Sequence, residues 1–387
     1  MKQQISACIL SAVLGCFPMI SNAEAFISEK NIQSAVVADF DHDGKTDIAI
    51  LSDMPDSKQL KLLEIFYGNT GLTAKQPGQK IQLMSATSVN HTKIGKDHYL
   101  IVTARGQRVF ILNSKDNFKT PWMNPSANQW RTRCEIGKIS NGAENFTDIV
   151  HGSCLRRFTP PDQVQHGFVY GPQKFDTLYL KITDLNLDGT PDLVASVYRK
   201  AVLRLYYGPF AANHKIKPQD LSEYVELVTS GEISPGIEGH DFAIGDLNGD
   251  ERPDIAAVSS KCDIFLQNSP TGFTNNAKPN YSIPQVGIPV IHNNSLYLVH
   301  RKNGKISVFR NADFSRPAEV IQTGLKNIKD FRVENEIFII IGMRGNKSEI
   351  RWGKLEELMP AKPAATSAVV YPHYTGEIHP VPQQAKY

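Results

Sequence analysis

The chain has 387 residues, 41% of them hydrophobic and 21% charged, which supplies apolar material for a large core and excludes a disordered polyelectrolyte. Its formal net charge is +3 at pH 7, with Lys and Arg spread along the chain, so the basic stripe of a nucleic-acid binder is absent.

The first 25 residues read as an export signal. Lys2 gives the positive start, Ile5 to Ile20 is largely apolar, and Ser21-Asn22-Ala23-Glu24-Ala25 offers small residues for cleavage. The exported chain then begins near Glu24 or Phe26, in the periplasm or outside the cell. A rival reading takes Val13-Leu14-Gly15-Cys16 as a lipobox, with Cys16 lipidated as the new N-terminus. Downstream of the signal no stretch is long and apolar enough for a membrane-spanning helix; Ile337 to Ile341 is strand length.

Next comes a polar loop between two apolar strands, Val37-Ala38-Asp39-Phe40-Asp41-His42-Asp43-Gly44-Lys45-Thr46-Asp47-Ile48-Ala49. The pattern returns as Ile182-Thr183-Asp184-Leu185-Asn186-Leu187-Asp188-Gly189-Thr190-Pro191-Asp192-Leu193-Val194. A third copy is Ile244-Gly245-Asp246-Leu247-Asn248-Gly249-Asp250-Glu251-Arg252-Pro253-Asp254-Ile255-Ala256. Each loop is followed by a strand with an aromatic ending: Phe66-Tyr67-Gly68, Tyr206-Tyr207-Gly208, and Ile264-Phe265-Leu266-Gln267-Asn268. Similar endings without an acidic loop occur at Val109 to Asn113, Phe168-Val169-Tyr170-Gly171, Val308 to Asn311 and Ile350 to Gly353. Endings spaced by about 40 to 60 residues fit the period of four-stranded propeller blades. Seven of them predict an all-β, seven-bladed β-propeller over 26–358. Apolar runs at Tyr99 to Val102, Ile149-Val150, Leu296 to Val299 and Ile337 to Ile340 supply strands to the weaker blades.

Helix is expected to be scarce. One short amphipathic helix or turn is read over Pro218 to Glu226, with Asp220, Leu221, Tyr224 and Val225 on one face. The segment 359–387 is rich in Pro and Ala and reads as an extended tail. Of the cysteines outside the signal, Cys134 and Cys154 are the nearest pair. An oxidising compartment predicts a disulfide between them, on neighbouring strands. Cys262 reads as a buried strand residue.

The strand, DxDxDGxxD-like loop, strand and aromatic-Gly turn together resemble the FG-GAP/VCBS repeat family, which occurs in the integrin α-subunit propeller and in bacterial exported proteins. That resemblance implies a calcium-binding propeller. In the first loop the ligands would be Asp39, Asp41, Asp43 and Asp47, with the Lys45 carbonyl and water. Alternate oxygen-bearing side chains on a tight loop can converge on a hard cation, and Gly44 supplies the positive φ of the turn. The second set would be Asp184, Asn186, Asp188, the Thr190 carbonyl and Asp192. The third would be Asp246, Asn248, Asp250, the Arg252 carbonyl and Asp254, weakened because Glu251 stands where the family prefers Gly. Oxygen-only donors suit calcium better than zinc or copper, and two to three structural ions are expected. A degenerate fourth loop, with Ser140, Asn141, Glu144 and Asp148, has the wrong spacing and begins with Lys138 in place of the acid.

No nucleophile elbow, HExxH motif or phosphate loop is present. His91 with His98, or His373 with His379, could in principle meet a metal, but they read better as isolated surface residues, and Glu334 with Glu336 as solvent-facing alternates along a strand. Trp122, Trp130, Tyr198, Tyr281 and Tyr371 could stack on a sugar, touch a protein or pack at an edge. The resulting expectation is an exported propeller that binds a protein or glycan as a scaffold. The alternative is a carbohydrate-active lyase or hydrolase on the same fold.

Overall fold

The computed structural model describes residues 24–68, 77–104, 108–119, 121–124, 134–137, 147–151, 154–159, 163–168, 177–197, 200–210, 223–230, 241–316, 318–334 and 336–358. Its described strands form seven four-stranded antiparallel sheets. After β1 (Glu24–Ser28), the first sheet is β2 (Ile32–Ala38), β3 (Asp47–Met54), β4 (Ser57–Phe66) and β5 (Gln79–Met84). The second is β6 (Ala86–Ile94), β7 (Asp97–Ala104), β8 (Arg108–Asn113) and β9 (Trp122–Asn124). The third is β10 (Cys134–Gly137), β11 (Thr147–His151), β12 (Cys154–Thr159) and β13 (Gln163–Phe168). The fourth is β14 (Thr177–Thr183), β15 (Asp192–Val197), β16 (Val202–Tyr206) and β17 (Val225–Val228). The fifth is β18 (Asp241–Gly245), β19 (Asp254–Val258), β20 (Cys262–Phe265) and β21 (Tyr281–Ile283). The sixth is β22 (Ile288–His292), β23 (Ser295–Val299), β24 (Lys305–Arg310) and β25 (Glu319–Gln322). The last comprises β26 (Lys326–Glu334), β27 (Ile337–Arg344) and β28 (Lys347–Lys354), with β1 as its fourth strand, and one helical turn, α1 (Leu355–Leu358), follows.

Position within a sheet explains composition. Second strands such as β15, β19 and β23 are buried along their whole length, so they read as continuous apolar runs. The outer strand β5 faces the core on one side only and alternates, with Ile81 and Leu83 in and Lys80 and Gln82 out. Core clusters lie between neighbouring sheets. Val36, Leu63, Leu100 and Phe110 join the first to the second, and Leu185, Leu205, Phe242 and Phe265 join the fourth to the fifth. Ile264 and Leu298 join the fifth to the sixth, Val308 and Phe338 the sixth to the last. Ile48, Ile50, Ile339 and Trp352 join the last sheet back to the first. β1 seals that junction: Phe26 pairs with Ile350 across the sheet edge, and its ring lies 4.8 Å from Phe66.

The predicted second strands fall on β7, β11, β23 and β27. Three local expectations are corrected. Val225 and Glu226 belong to strand β17 rather than a helix, because the edge of β16 offers Val225 a backbone partner at Leu205 and β-branched side chains suit a sheet; positions 211–222 lie outside the described residues. In the third sheet Phe168 ends the outer strand β13, while the third strand β12 ends at Thr159. Glu336 sits in a turn with φ 66 and so does not alternate with Glu334 along one strand. The 359–387 tail and the export signal to residue 23 lie outside the described residues.

Candidate metal loops and their surroundings

Each acidic loop spans the turn between the first and second strands of its sheet, closed by the pairs Ala38↔Asp47, Thr183↔Asp192 and Gly245↔Asp254. The second position of every loop is a fully buried apolar residue, Phe40, Leu185 or Leu247, which anchors the loop to the core. The ninth position is a fully buried aspartate. Its two oxygens take two backbone donors in the same way each time. Asp47 accepts from Phe40 N at 2.6 Å and Gly68 N at 2.7 Å, Asp192 from Leu185 N at 2.7 Å and Gly208 N at 2.8 Å. Asp254 accepts from Leu247 N and Gln267 N, both at 2.8 Å.

This explains the aromatic-Gly signature. A β-carbon on Gly68 would collide with the Thr46 carbonyl, and one on Gly208 would lie 2.7 Å from the Pro191 carbonyl. The glycine lets the third strand approach the loop and donate to its last aspartate. In the fifth sheet Gln267 fills this place, and its Nε2 donates to the Leu185 carbonyl at 2.9 Å, tying the third loop to the second.

Toward the loop tips the acids converge. Asp39, Asp41 and Asp43 place one oxygen each within 4.8 Å of one another. Asp39 also accepts from the N–H groups of Asp43 and Gly44, and Asp43 from Lys45 N at 2.8 Å. Asp184 is held likewise by Asp188 N and Gly189 N, while Asp188 accepts from both the amide and hydroxyl of Thr190. Those bonds, the hydroxyl's first, hold the Asp188 carboxyl below its ordinary range. Burial pushes Asp47 and Asp254 up to about 6 and raises Asp192, against the pull of their backbone donors; the tip acids add to the rise. Deep carboxylates under mutual repulsion and an oxygen-only donor set at the tips fit a hard divalent cation.

The strain expected at Glu251 is present in the third loop, and the other two loops match it. Each loop has two left-handed residues: His42 and Gly44, Leu187 and Gly189, Gly249 and Glu251. Glu251 does adopt φ 65, but Gly249 relieves the position where the other loops place His42 and Leu187. Each loop therefore carries one glycine and one strained residue. What distinguishes the third loop is Arg252, whose Nη2 lies 2.5 Å from Asp250 Oδ2 while Nε donates to the Gln267 carbonyl. A resident cation thus already neutralises one tip acid.

The cysteine pairing expected from sequence does not fit the register. Cys134 and Cys154 both align with His151, on strands to either side of β11. Two strand spacings separate their Cα atoms by about 9.5 Å. A disulfide reaches only to about 7 Å. Cys262 is buried and free, as expected, and burial raises its thiol pKa. In the degenerate fourth loop only Asp148 is described, within β11. Tyr281 lies half exposed against Phe314, with ring centroids 5.1 Å apart; Trp130, Tyr198 and Tyr371 fall outside the described residues. His91 and His98 are neighbours rather than isolated residues, joined by a 2.8 Å contact that sequence separation alone does not reveal.

No protein-family model matches the sequence, and no curated protein matches it. Solved structures match in shape. BBS1N in complex with ARL6DN, soaked with lead, gives a TM-score of 0.52 at 12% identity over 85% of this chain and 96% of that one. The mercury-soaked crystal of the same complex gives 0.50 at 12% identity over 84% and 92%. Such likeness speaks for the fold alone, a β-propeller. Among the described residues no helix is long and apolar enough to cross a membrane.

Proposed function

We propose that the chain is an exported, seven-bladed β-propeller that carries calcium in its acidic loops and serves as a protein- or glycan-binding scaffold. The observation that carries the metal reading is the repeated loop: one backbone-bonded design at the same place in three sheets, with tip oxygens converging in the first. Bound calcium would neutralise the tip carboxylates and so pin the first two strands of each blade. Asp39, Asp41, Asp43 and Asp47 would hold it in the first loop. Asp184, Asn186, Asp188 and Asp192 serve the second; Asp246, Asn248, Asp250 and Asp254 serve the third. Blade count rests on the seven sheets, with the last sheet packed on the first through a shared core cluster.

The scaffold reading is a fold-level analogy: BBS1N, a similar propeller, was crystallised with ARL6DN bound. Export rests on the N-terminal signal, whose cleavage after Ala23 would leave Glu24 at the start of β1. Thermal melting with chelator and with restored calcium, alongside elemental analysis, tests the metal. An unchanged midpoint with no calcium found in the protein would refute it. A glycan array together with crosslinking in envelope extract tests the scaffold, and turnover of an arrayed glycan would replace it with the enzyme reading.

A further inference from the structure

Beside the first acidic loop, three imidazoles meet on the rim between the first and second sheets. His91 Nε2 and His98 Nδ1 are 2.8 Å apart with their rings stacked, and the His42 ring lies 4.5 Å from that of His98, nearly perpendicular to it. His42 is exposed, and its Nε2 lies 2.9 Å from the Lys96 carbonyl. His98 is 6% exposed, and its Nε2 is buried without a hydrogen-bond partner. An unmatched imidazole nitrogen in the interior is costly unless something occupies it.

The proton count is informative. If His42 donates from Nε2 to Lys96 and His98 donates from Nδ1 to His91, each ring keeps one bare nitrogen, Nδ1 of His42 and Nε2 of His98. An N–H given to a neighbouring acceptor and a lone pair left free is the arrangement of a metal-ligating histidine and its outer-shell partner. We infer that His42 and His98 form a binding site for a borderline divalent metal of the zinc class, completed by water entering from the exposed His42 side, with His91 as the positioning residue that fixes the His98 tautomer. The donor type separates this site from the oxygen loops. Lys93, opposite His98 in the register, is exposed and free to swing its ammonium into water.

The experiment titrates zinc chloride into the untagged, calcium-saturated full chain by calorimetry, with cobalt(II) absorption as a second readout of nitrogen ligation. One zinc per chain is expected. His42→Ala, a change at an exposed side chain, should abolish that binding, and His91→Phe should weaken it by about tenfold or more. Circular dichroism confirms folding in each variant. Absence of zinc binding by the wild-type chain, or equal affinity in folded His42→Ala, overturns the inference. Binding through His373 and His379 of the tail would give the latter result.

Discussion

At the scale of single residues, the third loop separates backbone strain from charge. Glu251 stands in a left-handed conformation, yet so do His42 and Leu187 in the loops that match the repeat best. Replacing Glu251 with Gly removes a cost of about 1 kcal/mol and touches no ligand side chain, so calcium affinity should change less than about threefold. Arg252 is different, because its guanidinium pairs with Asp250, an acid that the proposed cation would also need. Arg252→Gln is expected to strengthen calcium binding at that loop several-fold, measured by calorimetry; unchanged affinity would show that the ion pair does not compete. Gly68→Ala should cost roughly 1–3 kcal/mol in urea unfolding, since the new methyl meets the Thr46 carbonyl. A loss below a few tenths would mean that the strand end shifts freely. The acids, glycines and closing aromatics were legible in the sequence because a repeated loop needs a repeated composition. The Arg252 pair and the Gly68 contact were not, since they depend on where side chains turn after the loop closes.

Elements were legible where burial on both faces writes an unbroken apolar run, as in β7, β23 and β27. They were misread where two strands carry similar endings. Phe168 resembles the close of a third strand, but it ends the outer strand β13, with β12 between it and β11; in the same way β11 stands between Cys134 on β10 and Cys154 on β12. Spacing along the chain cannot count an intervening strand. The loop as an element further predicts a pH effect. Asp47 and Asp254 have folded values of about 6, above the ordinary 3.8, so the folded state holds their protons more tightly. Their stabilising contribution is complete below about pH 4 and is lost as pH rises through 6. His91, depressed to about 4, acts oppositely, its contribution being lost as pH falls from 6.5 toward 4. Comparing wild type with Asp47→Asn in chelator cancels the histidine part. The stability gap should widen in favour of wild type from pH 7 to pH 5, and a constant gap in denaturant titrations would contradict the burial of Asp47.

For the whole molecule, the decisive contact joins the two ends of the sequence. β1 supplies the outer strand of the last sheet, from Glu24↔Trp352 to Ser28↔Ser348, and the Ser348 hydroxyl accepts from Ile32 N at 3.2 Å. Closure therefore waits until β28 has been made, and loop closure across most of the chain must be offset by the burial it brings. Without β1 the outer edge of β28 is open and Phe66 loses the ring of Phe26. A chain starting at Glu29 should melt at least ~5 °C below one starting at Glu24, with more aggregation on heating. A chain starting at Phe26 keeps three of the five pairs and should fall between them. Calorimetry of the three proteins orders them directly. Equal midpoints would mean that the first and last sheets hold together through Ile48, Ile339 and Trp352 alone, leaving β1 dispensable. If the chain is exported as proposed, the intermediate variant also stands for cleavage after Ala25, which would remove Glu24↔Trp352 and Ala25↔Arg351, whereas cleavage after Ala23 would preserve the whole strand.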